Sequence, residues 1–203
     1  LLGRAVLGLQ RAQAPRPLTA RLEASFGLAP EELAVVMGAV ASVLDPAAVP
    51  LLPFEGWVAA LEDSLLEAPP TAARVLGSGL VRATPALVPH PALVTRLLGR
   101  PGPEAPRGVR LRPLSPGGEA PDGAAGLARA LALGGGVALH VGPAGVGRRD
   151  AAAHVAARLG RRAVLAEPAY GASAAALADA ALEAQLYELL LVVDLDAWAA
   201  HAS

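Results

Sequence analysis

A chain of 203 residues with a formal net charge of -1 has the length for one large or two small domains, and it carries no basic excess to build a nucleic-acid or anionic-membrane surface. Hydrophobic residues make up 54% but aromatic residues only 3%, so the expected cores are rich in helix and filled by alanine, leucine and valine. Cysteine is absent, which excludes disulfides, thiolate metal sites and a cysteine nucleophile; all 17 basic residues are arginine, which excludes a lysine as phosphate ligand.

No apolar run approaches the roughly 20 residues that span a bilayer, and the start at Leu1 lacks a charged segment followed by an apolar run and a cleavage site. The expected setting is therefore cytoplasmic. The start at Leu1, and the end at Ser203 just after a strand-like apolar run, read as a fragment of a longer chain.

Residues 1–99 are expected to form a helical domain. Pro30, Glu31 and Glu32 mark a helix start, because proline suits a first turn and carboxylates suit the positive end of the helix dipole. Leu33, Val36, Met37, Val40 and Leu44 then recur at helical spacing, and Asp45 and Pro46 end the pattern. Trp57, Leu61 and Leu65 mark a second helix stopped by Pro69 and Pro70, and residues 71–76 start a third. Residues 80–83 and 86–88 predict a hairpin, followed by a helix over 91–98. Helices followed by a small hairpin suggest a winged-helix-like domain. Up to Arg100 eight arginines face eight acids, so protein contacts fit this domain better than duplex binding.

Residues 100–123 hold six prolines and five glycines and are expected to be a linker without regular structure. Residues 124–203 change period. A short helix over 126–133 and a turn at 134–136 lead to a buried strand over 137–141, a loop over 142–147 and a helix over 149–159. A strand over 162–165, a helix over 172–187 and a strand over 189–193 follow. Strands alternating with helices predict an α/β fold with a partial parallel sheet of the P-loop NTPase type.

The loop between the first strand and its helix carries the chemistry. A phosphate needs donors, and glycines let successive backbone N–H groups turn toward it at the front of a helix. Gly142 and Gly147 match the outer glycines of GxxxxGK[ST], with Pro143, Ala144, Gly145 and Val146 between them. Arg148 stands where the motif has lysine, and Arg149 where it has the hydroxyl that binds Mg2+. A guanidinium pairs with phosphate but is no substitute for a compact ammonium, and it is no metal ligand. The partner element in such folds is an apolar strand ending in a metal-holding acid, which residues 189–193 followed by Asp194 supply. In a second register Asp196 and Ala197 align with the acid and alanine that often follow, which puts Asp194 on the glutamate position and Val193 on the metal-holding one. Leu195 stands where a hydrolytic site needs glutamate. For Asp194 the plain alternative is a helix cap or strand-end turn.

Together these residues resemble the AAA ATPase family, and among its members bacterial proteins with an N-terminal winged-helix region before two AAA modules. The stretches FGLAPEELAVVMGAVASVLDP, GSGLVRATP, LVTRLLG and GPAGVGRRDAAAHVAARLG carry the resemblance. It implies a degenerate first module whose cofactor is ATP or ADP with Mg2+, whose loop residues Gly142 to Arg149 face the nucleotide, whose Asp194 stands at the metal position, and whose Asp194 and Asp196 are the catalytic candidates. It also implies hydrolysis and remodelling of a protein partner by the whole protein, weak or no hydrolysis in this copy, and oligomerisation through AAA modules. Sensor residues, arginine finger and lid are then expected beyond Ser203.

Two other readings stand beside it. A dinucleotide-binding fold has Glu167 at the end of the second strand for a ribose hydroxyl, but the glycines read GxxGxG and Asp150 crowds the position of the third glycine. A non-catalytic interaction platform needs no ligand at all. His90, His140, His154 and His201 lack partner ligands at metal spacing, Glu23, Glu31, Glu32, Glu62 and Asp63 read as solvated helix faces, and no serine lies in a nucleophile elbow.

Overall fold

The structure is a computed structural model and describes residues 18–45, 70–84, 86–134, 136–139, 141 and 146–202. The chain divides into two compact units, Leu1–Leu97 and Leu98–Ser203. The helix expected around Trp57, Leu61 and Leu65 lies outside the described residues.

In the first unit, α1 (Leu18–Phe26) buries Leu22 and ends at Gly27, whose positive φ reverses the chain before buried Leu28. Helix α2 (Pro30–Leu44) starts at the expected proline. Its buried stripe is Leu33, Val36, Ala39 and Val40, whereas Leu44 is exposed, so the apolar face stops one turn before the pattern does. Glu32 departs from its expected solvated role. Its side chain is fully buried and its Oε2 accepts the Ala29 N–H at 2.7 Å, which satisfies one of the orphan donors at the helix start. Its Oε1 accepts Nε of Arg74 at 2.9 Å, with Nη2 at 2.8 Å, from α3 (Pro70–Gly77). Pro70 is the first residue of this helix. Strands β1 (Val81–Thr84) and β2 (Ala86–Pro89) form the expected antiparallel hairpin, pairing Val81 with Pro89 and Thr84 with Ala86. Buried His90 caps α4 (Pro91–Leu97), its Nδ1 accepting the Ala92 N–H at 3.2 Å.

The second unit is an α/β layer structure in which the proline-rich stretch is not a linker throughout. Residues Val109–Leu114 form strand β3, the edge of a three-stranded sheet ordered β3, β4 (Ala163–Pro168) and β5 (Leu190–Val193). Alternation explains it: Val109 and Leu111 face the core while Arg110 and Arg112 face out, and Pro113 is tolerated because an edge strand has one side free of ladder bonds. Strand β3 runs antiparallel to β4, and β4 parallel to β5, so the sheet is mixed rather than wholly parallel. Gly108, with φ 89°, lets the chain enter β3 against the backbone of Gly171; a Cβ there would lie 2.5 Å from the Gly171 carbonyl oxygen.

Helix α5 (Ala124–Gly134) and helix α6 (Arg148–Arg158) cover one face through Ala124, Ala128 and Val155, with Leu190 of β5 packed against them. Helix α7 (Ala174–Leu186), capped by Ser173, covers the other through Ala176 and Ala180. Leu191 and Val193 point to that second face and Leu190 to the first, as a period of two requires. After β5 the chain turns at once into α8 (Leu195–Ala202), whose Trp198 packs into the second core.

Among the described residues of 137–141 the expected buried strand does not form. Val137, Leu139 and Val141 lie outside any strand and are exposed, Val137 to 99%. The sheet is built from β3, β4 and β5 alone, and the described residues of that apolar run enter no ladder. No helix among the described residues is long and apolar enough to cross a membrane.

Candidate functional site

Gly147 is the N-cap of α6 and has left-handed backbone, φ 74° and ψ 23°, with its carbonyl accepting the Ala151 N–H at 2.8 Å. That conformation costs a residue with a Cβ about 1–2 kcal/mol, which is the physical need for glycine here. It puts Arg148 and Arg149 in the first helical turn, where the free N–H groups already present partial positive charge. Two guanidiniums at that end raise the local positive potential further. Of the loop residues, Gly142, Pro143, Ala144 and Gly145 lie outside the described residues, and Val146 is exposed.

The compensating charges come from the far end of the sheet. Asp194 follows β5 directly and is the N-cap of α8: its Oδ1 accepts the Ala197 N–H at 3.4 Å and its carbonyl accepts the Trp198 N–H at 3.1 Å. Its Oδ2 accepts Nη2 of Arg149 at 2.9 Å. The capping role expected as the plain alternative is thus present, and the other oxygen of the same carboxylate pairs with Arg149. The Arg149 hydrogen bond holds the Asp194 carboxyl below the usual aspartate range, with burial opposing it and the Ala197 N–H assisting. Asp196 is 82% exposed and lies 3.5 Å from Arg148 Nη1, a long contact screened by water on the carboxylate side.

The α8 start is fixed by one more bond. Trp198 Nε1 donates to the Ala166 carbonyl at 3.0 Å, tying the helix to β4 at the level where Ala166 pairs with Val193. Sequence reasoning gave Trp198 no role, and its spacing four residues after Asp194 is the signal that was there to read.

A second support lies beside the arginines. Asp150 Oδ1 accepts the Gly117 N–H at 2.6 Å, and His154 Nε2 lies 3.1 Å from the Gly117 carbonyl. A carbonyl only accepts, so Nε2 carries the proton in this contact. The loop after β3 is thereby pinned to α6, and Asp150 acts as an anchor for that loop. Nothing in the sequence placed Gly117 near α6, because the segment read as linker. Glu167 is likewise engaged, 3.2 Å from Arg112 Nη2 across the β3–β4 pair.

What this arrangement does chemically follows from its charges. Arg149 and Asp194 neutralise each other at the strand end, and Arg148 is the arginine with its head loosely held. Leu195, exposed to 58%, offers no base to polarise water. Among the described residues no three histidine or acidic side chains come together as a metal-holding group. Compared with protein-family models, with curated proteins and with solved structures, the chain matches none.

Proposed function

We propose that the second unit is a degenerate P-loop module of AAA type, binding ATP or ADP through the front of α6 with weak or no hydrolysis. Hydrolysis and remodelling of a protein partner belong, on this reading, to the whole protein, with a winged-helix-like first unit making protein contacts. The observation that supports it most is the meeting of Arg149 in the first turn of α6 with Asp194 at the end of β5, the two positions that converge on phosphate and metal in an intact site. The glycine-entered helix and the parallel β4–β5 pair agree with it.

The test is a titration of fluorescent ADP and ATP against the purified chain and its Arg148→Ala variant. Binding that weakens by about tenfold or more in the variant, without steady turnover in either, supports the proposal. Binding unchanged by Arg148→Ala, or sustained turnover lost with it, refutes the respective half.

The second reading, a silent interaction platform, draws on the same ion pair: a site whose charges already cancel has less need of a ligand. The absence of binding to either nucleotide favours it. The dinucleotide reading loses ground to the Arg112 contact, which occupies the Glu167 carboxylate it would need for a ribose.

A further inference from the structure

We infer that Arg149 is the resident cation of this site, standing where a divalent metal would sit, and that the site takes its nucleotide free of Mg2+. This rests on the nucleotide reading proposed above and adds to it the form of the ligand.

A magnesium ion at an intact site of this kind needs oxygen ligands at about 2.0–2.1 Å in octahedral array, from a helix-borne hydroxyl, an acid at the strand end, water and phosphate. The residues here do not fit. The hydroxyl position holds Arg149, which has donors only. The acid, Asp194, has Oδ2 committed to that arginine at 2.9 Å and Oδ1 turned to the Ala197 N–H at 3.4 Å. Breaking either contact to free a ligand leaves the guanidinium beside the ion, or the helix start without its cap. Asp196, two residues further on, contacts Arg148 only at 3.5 Å.

The guanidinium therefore takes the metal's structural part. It links the front of α6 to the β5–α8 turn through a fixed positive charge, so that the link does not wait for a cation to arrive. A polyphosphate entering here meets Arg148, whose head is loosely held, together with the α6 amides and the outer face of Arg149, which is half exposed. Those groups suit a nucleoside di- or triphosphate without its metal, since Mg2+ on the phosphates would face Arg149 with like charge.

The experiment has two arms. In the first, fluorescent ADP is titrated in excess MgCl2 and in EDTA. A weaker affinity in MgCl2 than in EDTA, by about threefold or more, is expected because Mg2+ draws ADP into the form the site repels, and an affinity equal in the two buffers or higher with Mg2+ overturns the inference while leaving nucleotide binding intact. In the second, Mn2+ is added to isotope-labelled protein without nucleotide, and paramagnetic broadening of the Asp194 and Ala197 amide signals is followed. No broadening is expected in the native chain, and its gain is expected in Arg149→Ser. Broadening at Asp194 in the native chain overturns the inference. Absence of ADP binding in both buffers refutes the nucleotide reading itself, and the Mn2+ arm then still decides whether Arg149 excludes the metal.

Discussion

Replacing Asp194 separates its two roles. Asp194→Ala removes the acceptor for the Ala197 N–H and the partner of Arg149 together; Asp194→Asn keeps an acceptor for the cap and loses the charge and the acceptor that face Arg149. Loss of an N-cap costs about 1 kcal/mol, and the 3.4 Å length puts this one in the lower part of that range. Arg149 is half exposed, so the ion pair counts as a surface pair worth about 0.2–1 kcal/mol rather than a buried one. Asp194→Ala is therefore expected to cost about 1–1.5 kcal/mol and Asp194→Asn about half of that.

For a unit of roughly 100 residues, 1 kcal/mol moves the midpoint by about 4–8 °C, which thermal unfolding followed by near-ultraviolet circular dichroism resolves. The pH dependence has a definite sign. Arg149 depresses the carboxyl in the folded chain, so its stabilisation is present above the unfolded value of about 3.9 and is lost as pH falls through the depressed folded value. The gap between native and Asp194→Asn should narrow in acid below about pH 4. Equal losses for Ala and Asn would refute the capping argument, and no loss for either would refute both roles.

Three further perturbations follow from the same physics. Arg74→Met leaves the fully buried Glu32 carboxylate with only the Ala29 N–H; because Arg74 itself is 57% exposed, the expected loss is about 2 kcal/mol, below the 3–5 kcal/mol of a fully buried pair, and urea unfolding of the first unit measures it. Burial pushes the Glu183 carboxyl on α7 up, against the Glu104 N–H that lowers it, so its favourable contribution is full in acid and is lost as pH rises through the raised value. Glu183→Gln keeps an acceptor for that N–H and should raise the midpoint at neutral pH, with the difference from native vanishing in acid. Gly108→Ala combines positive φ with a Cβ 2.5 Å from backbone and should cost at least about 2 kcal/mol in denaturant unfolding; a neutral result would contradict the tight approach of β3 to the turn before α7.

Helix α2, the hairpin, α6, β4, α7 and β5 were legible because each carries a local signal, a proline or cap at its start or a clean apolar period. Two things were not. Strand β3 hid within a composition of prolines and glycines, and only its alternation of Val109, Arg110, Leu111 and Arg112 marked it, a four-residue pattern too short to outweigh the breakers around it. The run from Val137 to Val141 carries an equally good strand pattern, yet a strand exists only where another strand pairs with it, and the described residues of this run pair with none.

The site divides in the same way. Arg148, Arg149 and Asp194 were legible from motif position, and their convergence depended only on a helix and a strand in consecutive crossovers. The clasp of Gly117 by Asp150 and His154, and the burial of Glu32, were not, because both depend on segments far apart in the chain. A carboxylate reads as solvated until the arginine that reaches it is known.

The central claim is that the front of α6 receives phosphate. Titrating ADP into isotope-labelled protein and following backbone amide signals tests it directly. The account predicts saturable shifts concentrated at Gly147, Arg148, Arg149 and Asp150, with a smaller response at Asp194 relayed through Arg149. Shifts confined to other parts of the chain, or none at millimolar ADP, would contradict it.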